Sequence, residues 1–236
     1  MKFDTIIIGG GLSGLISGIY LSQRGQRCVI ISSGQSALHF SSGSFDLLNN
    51  LPDGTSVQKP LDAIGKLIQQ APSHPYAKLG ENKFKILTQQ TKEFLKNAGI
   101  ATQGDYEKNH YRVTPMGTLK STWLTLENLL ISENEKCLPI RHPGIFNVTG
   151  FLDFYTQFIA DEFLKLGTKC SIHAVNFPAL ENLRKNPTEM RSVNIARIFD
   201  KQENIQELVQ ILKAESEDCD QAQCAGGTLE PVKRMF

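Results

Sequence analysis

The sequence predicts an α/β fold that begins with a Rossmann-like βαβ unit. Three observations carry this prediction: an apolar, β-branched run at residues 3–8, the glycine spacing G-x-G-x-x-G directly after it, and an apolar pattern with helical spacing that follows. A second apolar run at residues 28–31 completes strand, turn, helix and strand within about thirty residues. This arrangement is typical of a nucleotide-binding unit.

Each glycine of the turn has a physical role in such a unit. Gly9 permits the tight exit from the strand, Gly11 lets the backbone approach a phosphate, and Gly14 lets the helix pack against the strand. The helix then directs its unpaired N–H groups and the positive end of its dipole at the anion. Gly25 ends the predicted helix. The predicted cofactor-binding residues of the turn are Gly9, Gly10, Gly11, Leu12, Ser13 and Gly14.

The second strand lacks the carboxylate that usually follows it. In dinucleotide sites an acidic residue about twenty positions on accepts hydrogen bonds from the adenosine ribose. Here Ser32 and Ser33 occupy that place, and no acidic residue follows before Asp46. Serine can still hydrogen-bond a ribose, so FAD and NAD stay open. A cofactor without an adenosine half does not need the carboxylate, which makes FMN equally compatible.

Residues 35–60 are rich in turn-forming residues but interrupted by apolar pairs, which predicts an ordered loop packed near the cofactor. Its residues Ser41, Ser42 and Gly43 are candidates for contacting a phosphate or the flavin ring. A hydroxyl-rich structural turn is the alternative. His39 is more typical of a structural histidine than of a catalytic one, and no catalytic residue is assigned.

The following region predicts mixed helices and strands. Residues 61–70 and 84–97 have amphipathic helical patterns, and residues 100–103 form a short strand. Residues 110–126 read as two strands around a Pro-Met-Gly turn. Arg112 and Lys120 flank that turn and could bind an anionic substrate, although charges at strand ends are common.

Further along, residues 151–167 predict a helix whose aromatic side has core spacing, followed by a strand at 169–177. Residues 187–213 predict two helices, the second with Asp200 and Glu203 in capping-box spacing. From residue 214 the pattern fails, which suggests a disordered tail, a fragment end or a shifted reading frame. The predicted regions are 1–60 for the flavin-binding βαβ unit and its loop, 61–213 for an inserted α/β cap, and 214–236 for the tail.

Composition excludes several classes of function. Of the 236 residues 40% are apolar and 21% charged, with a formal net charge of +1, which gives no reason to expect nucleic acid or an anionic membrane as the main partner. No apolar stretch has the length of a membrane span. The sequence begins directly with a strand, so a cytoplasmic location is expected. Five scattered cysteines without a C-x-x-C spacing predict neither a disulfide framework nor a metal site.

Long segments of the sequence resemble the B subunit of bacterial anaerobic glycerol-3-phosphate dehydrogenase. The resemblance extends from Lys2 to about Lys213 and is carried by "GGGLSGLISGIYLSQRGQRCVIISSGQSALHFSSGSFDLL", "LPDGTSV", "APSHPY", "RVTPMGTLKSTWL" and "TEMRSVNIARIFD". It implies a Rossmann-like FAD/NAD(P)-binding flavoprotein fold with FMN as the cofactor and FAD as the alternative. Members of that family are nearly twice as long, so the fold is expected to be incomplete at the C-terminus.

The resemblance also implies a role. Such a protein pairs with a larger, FAD-containing catalytic subunit, which oxidises sn-glycerol 3-phosphate to dihydroxyacetone phosphate. Electrons pass through an iron–sulfur subunit to menaquinone and onward to fumarate or nitrate, and this third protein anchors the complex to the cytoplasmic face of the inner membrane. Two alternatives are an inactive fragment or assembly module without flavin, and a FAD- or NAD-dependent oxidoreductase that acts alone.

Overall fold

The computed structural model describes residues 2–34, 36, 38, 41–185, 190–216, 223–224 and 227–228. Contacts divide the chain into two compact units, Met1–Gly43 and Ser44–Phe236. The predicted boundaries at residues 60 and 213 stay predictions. His39 and most of the predicted tail lie outside the described residues.

The first unit is the predicted βαβ unit. Strand β1 (Thr5–Ile8) leads through the glycine turn into helix α1 (Leu12–Ser22), and strand β2 (Cys28–Ile31) returns parallel to β1. The helix ends as the sequence predicts, because Gly25 has a φ of 82° and its N–H donates to the Ser22 carbonyl. The fold class is therefore confirmed at its N-terminal core.

The two faces of this small sheet differ in exposure. Gly18 is buried on α1, and a Cβ there would lie 3.2 Å from Ile30 Cδ1 and 3.3 Å from Ile7 Cδ1, so the helix packs closely on this face. Ile6, Ile8 and Ile31 alternate with those residues and point to the other face. Their side chains are 63%, 88% and 55% exposed. Among the described residues, this second face of the sheet is therefore apolar and exposed.

The second unit opens with a helical layer. It contains β3 (Ser44–Phe45), α2 (Pro60–Gln70), α3 (Pro75–Leu79) and α4 (Glu81–Asn97). The predicted ordered loop contributes directly to this core. Residues from the loop and the helices form one apolar cluster: Leu48, Leu51, Val57, Ile64, Leu67 and Phe84.

Two small antiparallel sheets follow. The first sheet has the order β3-β7-β4, where β4 is Thr102–Gln103 and β7 is Leu124–Leu126. The second sheet has the order β6-β5-β8, where β5 is His110–Val113, β6 is Leu119–Thr122 and β8 is Ile131–Ser132. The predicted Pro-Met-Gly turn joins β5 to β6, and Gly117 has a φ of 82°. The second predicted strand is broken at Trp123, whose N–H donates to the Phe45 carbonyl.

A second βαβ unit follows these sheets. Strand β9 (Gly144–Val148), helix α5 (Thr156–Lys165) and strand β10 (Ser171–Val175) are consecutive, and β9 and β10 pair in parallel. The prediction of a helix from residue 151 was wrong at its start. The Asn147 amide donates to the carbonyls of Phe151 and Phe154, which holds this stretch in a loop instead of a helical turn.

The last described elements are α6 (Glu181–Arg184), α7 (Ser192–Ile198), α8 (Gln202–Glu215), β11 (Gln223–Cys224) and β12 (Gly227–Thr228). The two predicted helices in this region are confirmed. The predicted capping box is wrong, because α8 begins one residue later than that spacing requires. Its N-cap is Lys201, which makes no side-chain cap bond, and Asp200 lies in the preceding turn.

His110 is a buried polar group of the second unit. Its side chain is 2% exposed, and its Nε2 lies 2.7 Å from Thr125 Oγ1. Gly104, with a φ of 108°, packs so closely that a Cβ there would lie 2.6 Å from His110 Cε1. Burial lowers the pKa of His110 from 6.5 to about 4, and the opposing effect of Glu133 is smaller.

We expect His110 to make the fold sensitive to acid. Its folded pKa lies below its unfolded pKa, so below pH 6.5 the unfolded chain binds more protons than the folded chain. The free energy of unfolding should fall by on the order of 3 kcal/mol as the pH drops from about 6.5 to about 4. Urea melts across that range should show a smaller decrease for His110→Gln than for the native chain. His142→Gln, which removes a partly exposed histidine, is the control, and equal decreases in both variants would contradict the assignment.

Candidate functional site

The glycine turn lies at the carboxyl ends of β1 and β2. Gly9 has a φ of 108°, a backbone conformation that L side chains rarely adopt. Its N–H donates to the Ile31 carbonyl at 2.8 Å, which ties the start of the turn to the end of the neighbouring strand. The turn is therefore held at the edge of the sheet where ligands of parallel α/β folds bind.

Gly14 and Gly11 are glycines for different reasons. A Cβ on Gly14 would lie 2.1 Å from the Gly9 carbonyl oxygen, so this position must be glycine for the helix to pack on the turn. A Cβ on Gly11 would meet no atom within 4 Å, and its φ of −75° and ψ of 177° suit any residue. The open space at Gly11 is the space that a phosphate approaching the backbone needs.

The N-terminus of α1 is suited to binding an anion. Gly11 is the N-cap and supplies no side-chain acceptor, and the first turn of the helix contains no acidic residue. The first hydrogen bond into the helix runs from Leu15 N–H to the Gly11 carbonyl. Within the described part of the chain, the N–H groups of Leu12, Ser13 and Gly14 have no backbone acceptor. These three amides fit a phosphate group of a nucleotide or flavin.

Ser32 lies beside this turn. A Cβ on Gly10 would lie 3.2 Å from both Cβ and Oγ of Ser32, so the end of β2 comes close to the glycines. The Ser32 hydroxyl donates to the Gly34 carbonyl at 3.0 Å, a contact that the sequence pattern did not reveal. Ser32 and Ser33 are both exposed. Their contact with a cofactor stays a prediction.

Ser41 and Gly43 follow β2 and contact nearby residues of the chain. Ser41 N–H donates to the Leu38 carbonyl, and Gly43 N–H donates to Ser41 Oγ, so both contacts are local. Gly43 has a φ of 70°, which explains a glycine there without a ligand. A role for Ser41, Ser42 and Gly43 in cofactor binding therefore stays a prediction.

The described residues contain neither a cluster of metal-binding side chains nor a helix that could span a membrane. No group of three or more His, Cys, Asp or Glu side chains suited to a metal ion occurs among the described residues. Within those residues, none of the helices combines the length and the apolar character that a bilayer crossing requires.

Comparison with known proteins supports the interpretation of the turn. Residues 4–227 match the family model described as FAD binding domain. The chain belongs to this FAD-binding family. This membership supports a flavin as the cofactor, and the glycine turn with its three amides is the part of the described structure that fits the phosphate of one.

Curated relatives make the resemblance more specific. Proteins named as the B subunit of anaerobic glycerol-3-phosphate dehydrogenase are 45% identical over 209 residues in Yersinia enterocolitica and 42% identical over 212 residues in Pectobacterium atrosepticum. A protein of the same name in Haemophilus ducreyi is 42% identical over 218 residues. These alignments cover 88–90% of this chain and 49–50% of each relative, so the chain spans about half the length of the relatives it matches. No solved structure matches.

Proposed function

We propose that this chain is part of the flavin-binding B subunit of an anaerobic glycerol-3-phosphate dehydrogenase. The reaction oxidises the secondary alcohol of sn-glycerol 3-phosphate to the ketone of dihydroxyacetone phosphate. Two electrons and two protons leave the substrate, and a quinone takes them up to become a quinol. The complex serves anaerobic respiration with fumarate or nitrate as the terminal acceptor.

The observation that carries this proposal is the shared name of relatives that are 42–45% identical over nearly all of this chain. The glycine turn supplies independent support, because it is a phosphate-binding geometry in the segment that the FAD binding domain model covers. Neither observation assigns a catalytic residue. Proton abstraction from the substrate belongs, in this proposal, to the partner protein that carries the substrate site.

We favour FMN over FAD as the flavin. FMN carries one phosphate and no adenosine, so it needs the amides of Leu12, Ser13 and Gly14 but no ribose carboxylate. At the end of β2 the exposed residues are Ser32 and Ser33, and the Ser32 hydroxyl already donates to Gly34. Bound flavin supplies the chemistry of accepting two electrons and releasing them singly.

The chain's own residues would hold and orient the flavin through its phosphate. The three amides of α1 would bind the phosphate, and the open space at Gly11 would let it approach the backbone. Gly9 and Gly14 would hold the turn in place, since the Gly9 N–H is bonded to the Ile31 carbonyl and Gly14 packs against Gly9. This pre-organisation lowers the entropic cost of binding.

The relatives' name describes one component of a larger assembly, which supports a complex. We propose two partners, a catalytic subunit that oxidises the substrate and an iron–sulfur subunit that holds the complex at the inner face of the cell inner membrane. Co-expression of this chain with the remaining half of a relative and with both partners tests the proposal. Purification through the catalytic partner should retain this chain, and sn-glycerol 3-phosphate should then reduce a soluble quinone analogue. Failure of the catalytic partner to retain the folded chain would contradict the proposal.

An assembly module without flavin is the second candidate, because the chain spans about half the length of its relatives and leaves an apolar face of β1 and β2 exposed. Such a module would also be retained by the catalytic partner. It would be colourless, however, and quinone reduction would not depend on the glycine turn. Comparison of the native chain with Gly11→Val in the same complex separates the two candidates.

We expect Ser32→Ala to have a small effect on flavin affinity. If the flavin is FMN, no ribose hydroxyl of an adenosine needs a partner there, and the dissociation constant should change little. If the flavin is FAD, a lost hydrogen bond should cost on the order of 1 kcal/mol, or about a five-fold weaker affinity. Titration of the apoprotein with each flavin measures this. A clear loss of affinity for FAD that exceeds the loss for FMN would contradict the preference for FMN.

A further inference from the structure

Strands β5 and β6 carry two cationic side chains directly opposite each other. Arg112 pairs with Lys120 in the antiparallel register, and His110 pairs with Thr122 two residues away. Cross-strand partners project from the same face of a sheet, and like charges in such positions repel each other. The pair therefore requires a compensating negative charge.

Asp46 compensates for only one of the two cations. Lys120 Nζ donates to Asp46 Oδ2 at 2.6 Å, and the two side chains are 47% and 41% exposed. Arg112 forms no salt bridge within 4 Å in the part of the chain that the structure describes. One carboxylate thus faces two cations, and it contacts the more exposed of them.

Arg112 is left incompletely satisfied. Its residue is 6% exposed, its Nη1 donates to the Val113 carbonyl at 3.0 Å, and its Nε is buried without a hydrogen-bond partner. Burial lowers the pKa of the guanidinium, and Asp46 raises it to a smaller degree. A buried cation without a paired anion is strongly destabilising. A guanidinium with an unpartnered Nε beside a second cation is a combination of donors that suits an oxyanion.

We propose that Arg112 and Lys120 together bind a small oxyanion of the phosphate or phosphate-monoester class. A phosphate offers three oxygens and up to two negative charges, so it can face both cations, whereas Asp46 offers one charge and contacts Lys120 alone. The half-exposed Lys120 and Asp46 form the open side of the site. When the oxyanion binds, it replaces the Asp46 carboxylate as the partner of Lys120. This site belongs to the second unit and does not depend on the proposed function or on flavin.

Calorimetric titration with inorganic phosphate at constant ionic strength tests the site. The Gly11→Val background removes binding at the glycine turn, which would otherwise give the same signal. We expect Arg112→Met to weaken phosphate binding at least ten-fold. Asp46→Asn should tighten it several-fold, because the competing carboxylate is gone. If Arg112 has only a structural role, neither the native site nor the Asp46→Asn site should bind phosphate.

Two surface variants keep the test decisive if Arg112→Met fails to fold. Lys120→Met, at a half-exposed position, should also weaken binding. Lys108→Met is the matched control, since Lys108 is equally exposed and also ion-paired, with Glu133 at 2.9 Å, and it should leave binding unchanged. Titration with sn-glycerol 3-phosphate and with glycerol then separates a phosphate ester from free phosphate as the ligand. Phosphate binding that is absent, or equal in Lys120→Met and Lys108→Met, would overturn the proposal.

Discussion

Replacement of Gly11 with valine should abolish flavin retention while the chain still folds. The backbone at Gly11 suits any residue, and a Cβ there meets no protein atom within 4 Å, so the fold tolerates the side chain. The same side chain occupies the space through which a phosphate reaches the amides of Leu12, Ser13 and Gly14. Hydrogen bonds to a charged group contribute about 1.5–3 kcal/mol each, so the loss of two of them should weaken binding by roughly 100-fold or more.

Flavin stoichiometry and thermal melting of the purified variant measure this result. Gly14→Ala is the contrasting variant, because its Cβ would lie 2.1 Å from the Gly9 carbonyl oxygen. We expect Gly14→Ala to lose both flavin and the folded turn, whereas Gly11→Val loses flavin alone. Normal flavin content in a soluble Gly11→Val protein would refute the phosphate-binding role of the turn.

Co-expression with the other half of a full-length relative should raise solubility and flavin content strongly. In the described part of the chain β1 pairs with β2 alone, so each strand has an edge of unpaired backbone groups. Burial of the exposed surface of Ile6, Ile8 and Ile31 should contribute on the order of 3–6 kcal/mol. The relatives have about twice the length of this chain, and their remaining half is the candidate to cover this face.

Two variants test whether the added half covers the face formed by Ile6, Ile8 and Ile31. Ile8→Lys should prevent the rescue, because a lysine would be buried against the added half. Ile86→Lys, at an isoleucine of α4 that is 51% exposed, should not. A 236-residue chain that is monomeric, melts cooperatively and carries flavin without help would show instead that it is a complete domain.

The βαβ unit could be predicted from the sequence because its signals are local. The apolar run before Gly9, the spacing of the three glycines and the stop at Gly25 each act within a few residues, and the structure places strands and helix as predicted. The close packing of the helix at Gly14 was also predictable. What the pattern could not show is that Gly11 faces open space while Gly14 packs against Gly9.

Strands β3 and β9 of the second unit were not predicted, because their partners lie far away in the sequence, whereas β4, β5, β6 and β10 fall within predicted strands. Strand β3 pairs with β7 about eighty residues later, and β9 depends on pairing with β10 across α5. The late start of α5 has the same cause, since a side-chain amide from β9 holds the preceding loop. Tertiary hydrogen bonds decided these elements, and local propensity did not.

Arg112 shows the corresponding limit for functional sites. Its sequence position flanks a turn, which suggested an exposed charge, whereas the structure buries it beside Lys120 and leaves its Nε without a partner. Burial of this arginine depends on tertiary packing and has no sequence signal. A search for charges at paired strand positions could have identified the Arg112 and Lys120 pair as unusual.

The visible absorption spectrum and chromophore mass of the purified chain test the central claim most directly. The chain, co-expressed with the remaining half of a relative, should carry about one flavin, and the released chromophore should have the mass of FMN. If the released chromophore is FAD, the result supports the flavin site but contradicts the preference for FMN. A folded, cooperatively melting protein without any flavin would contradict the claim that the glycine turn of this chain holds a flavin phosphate.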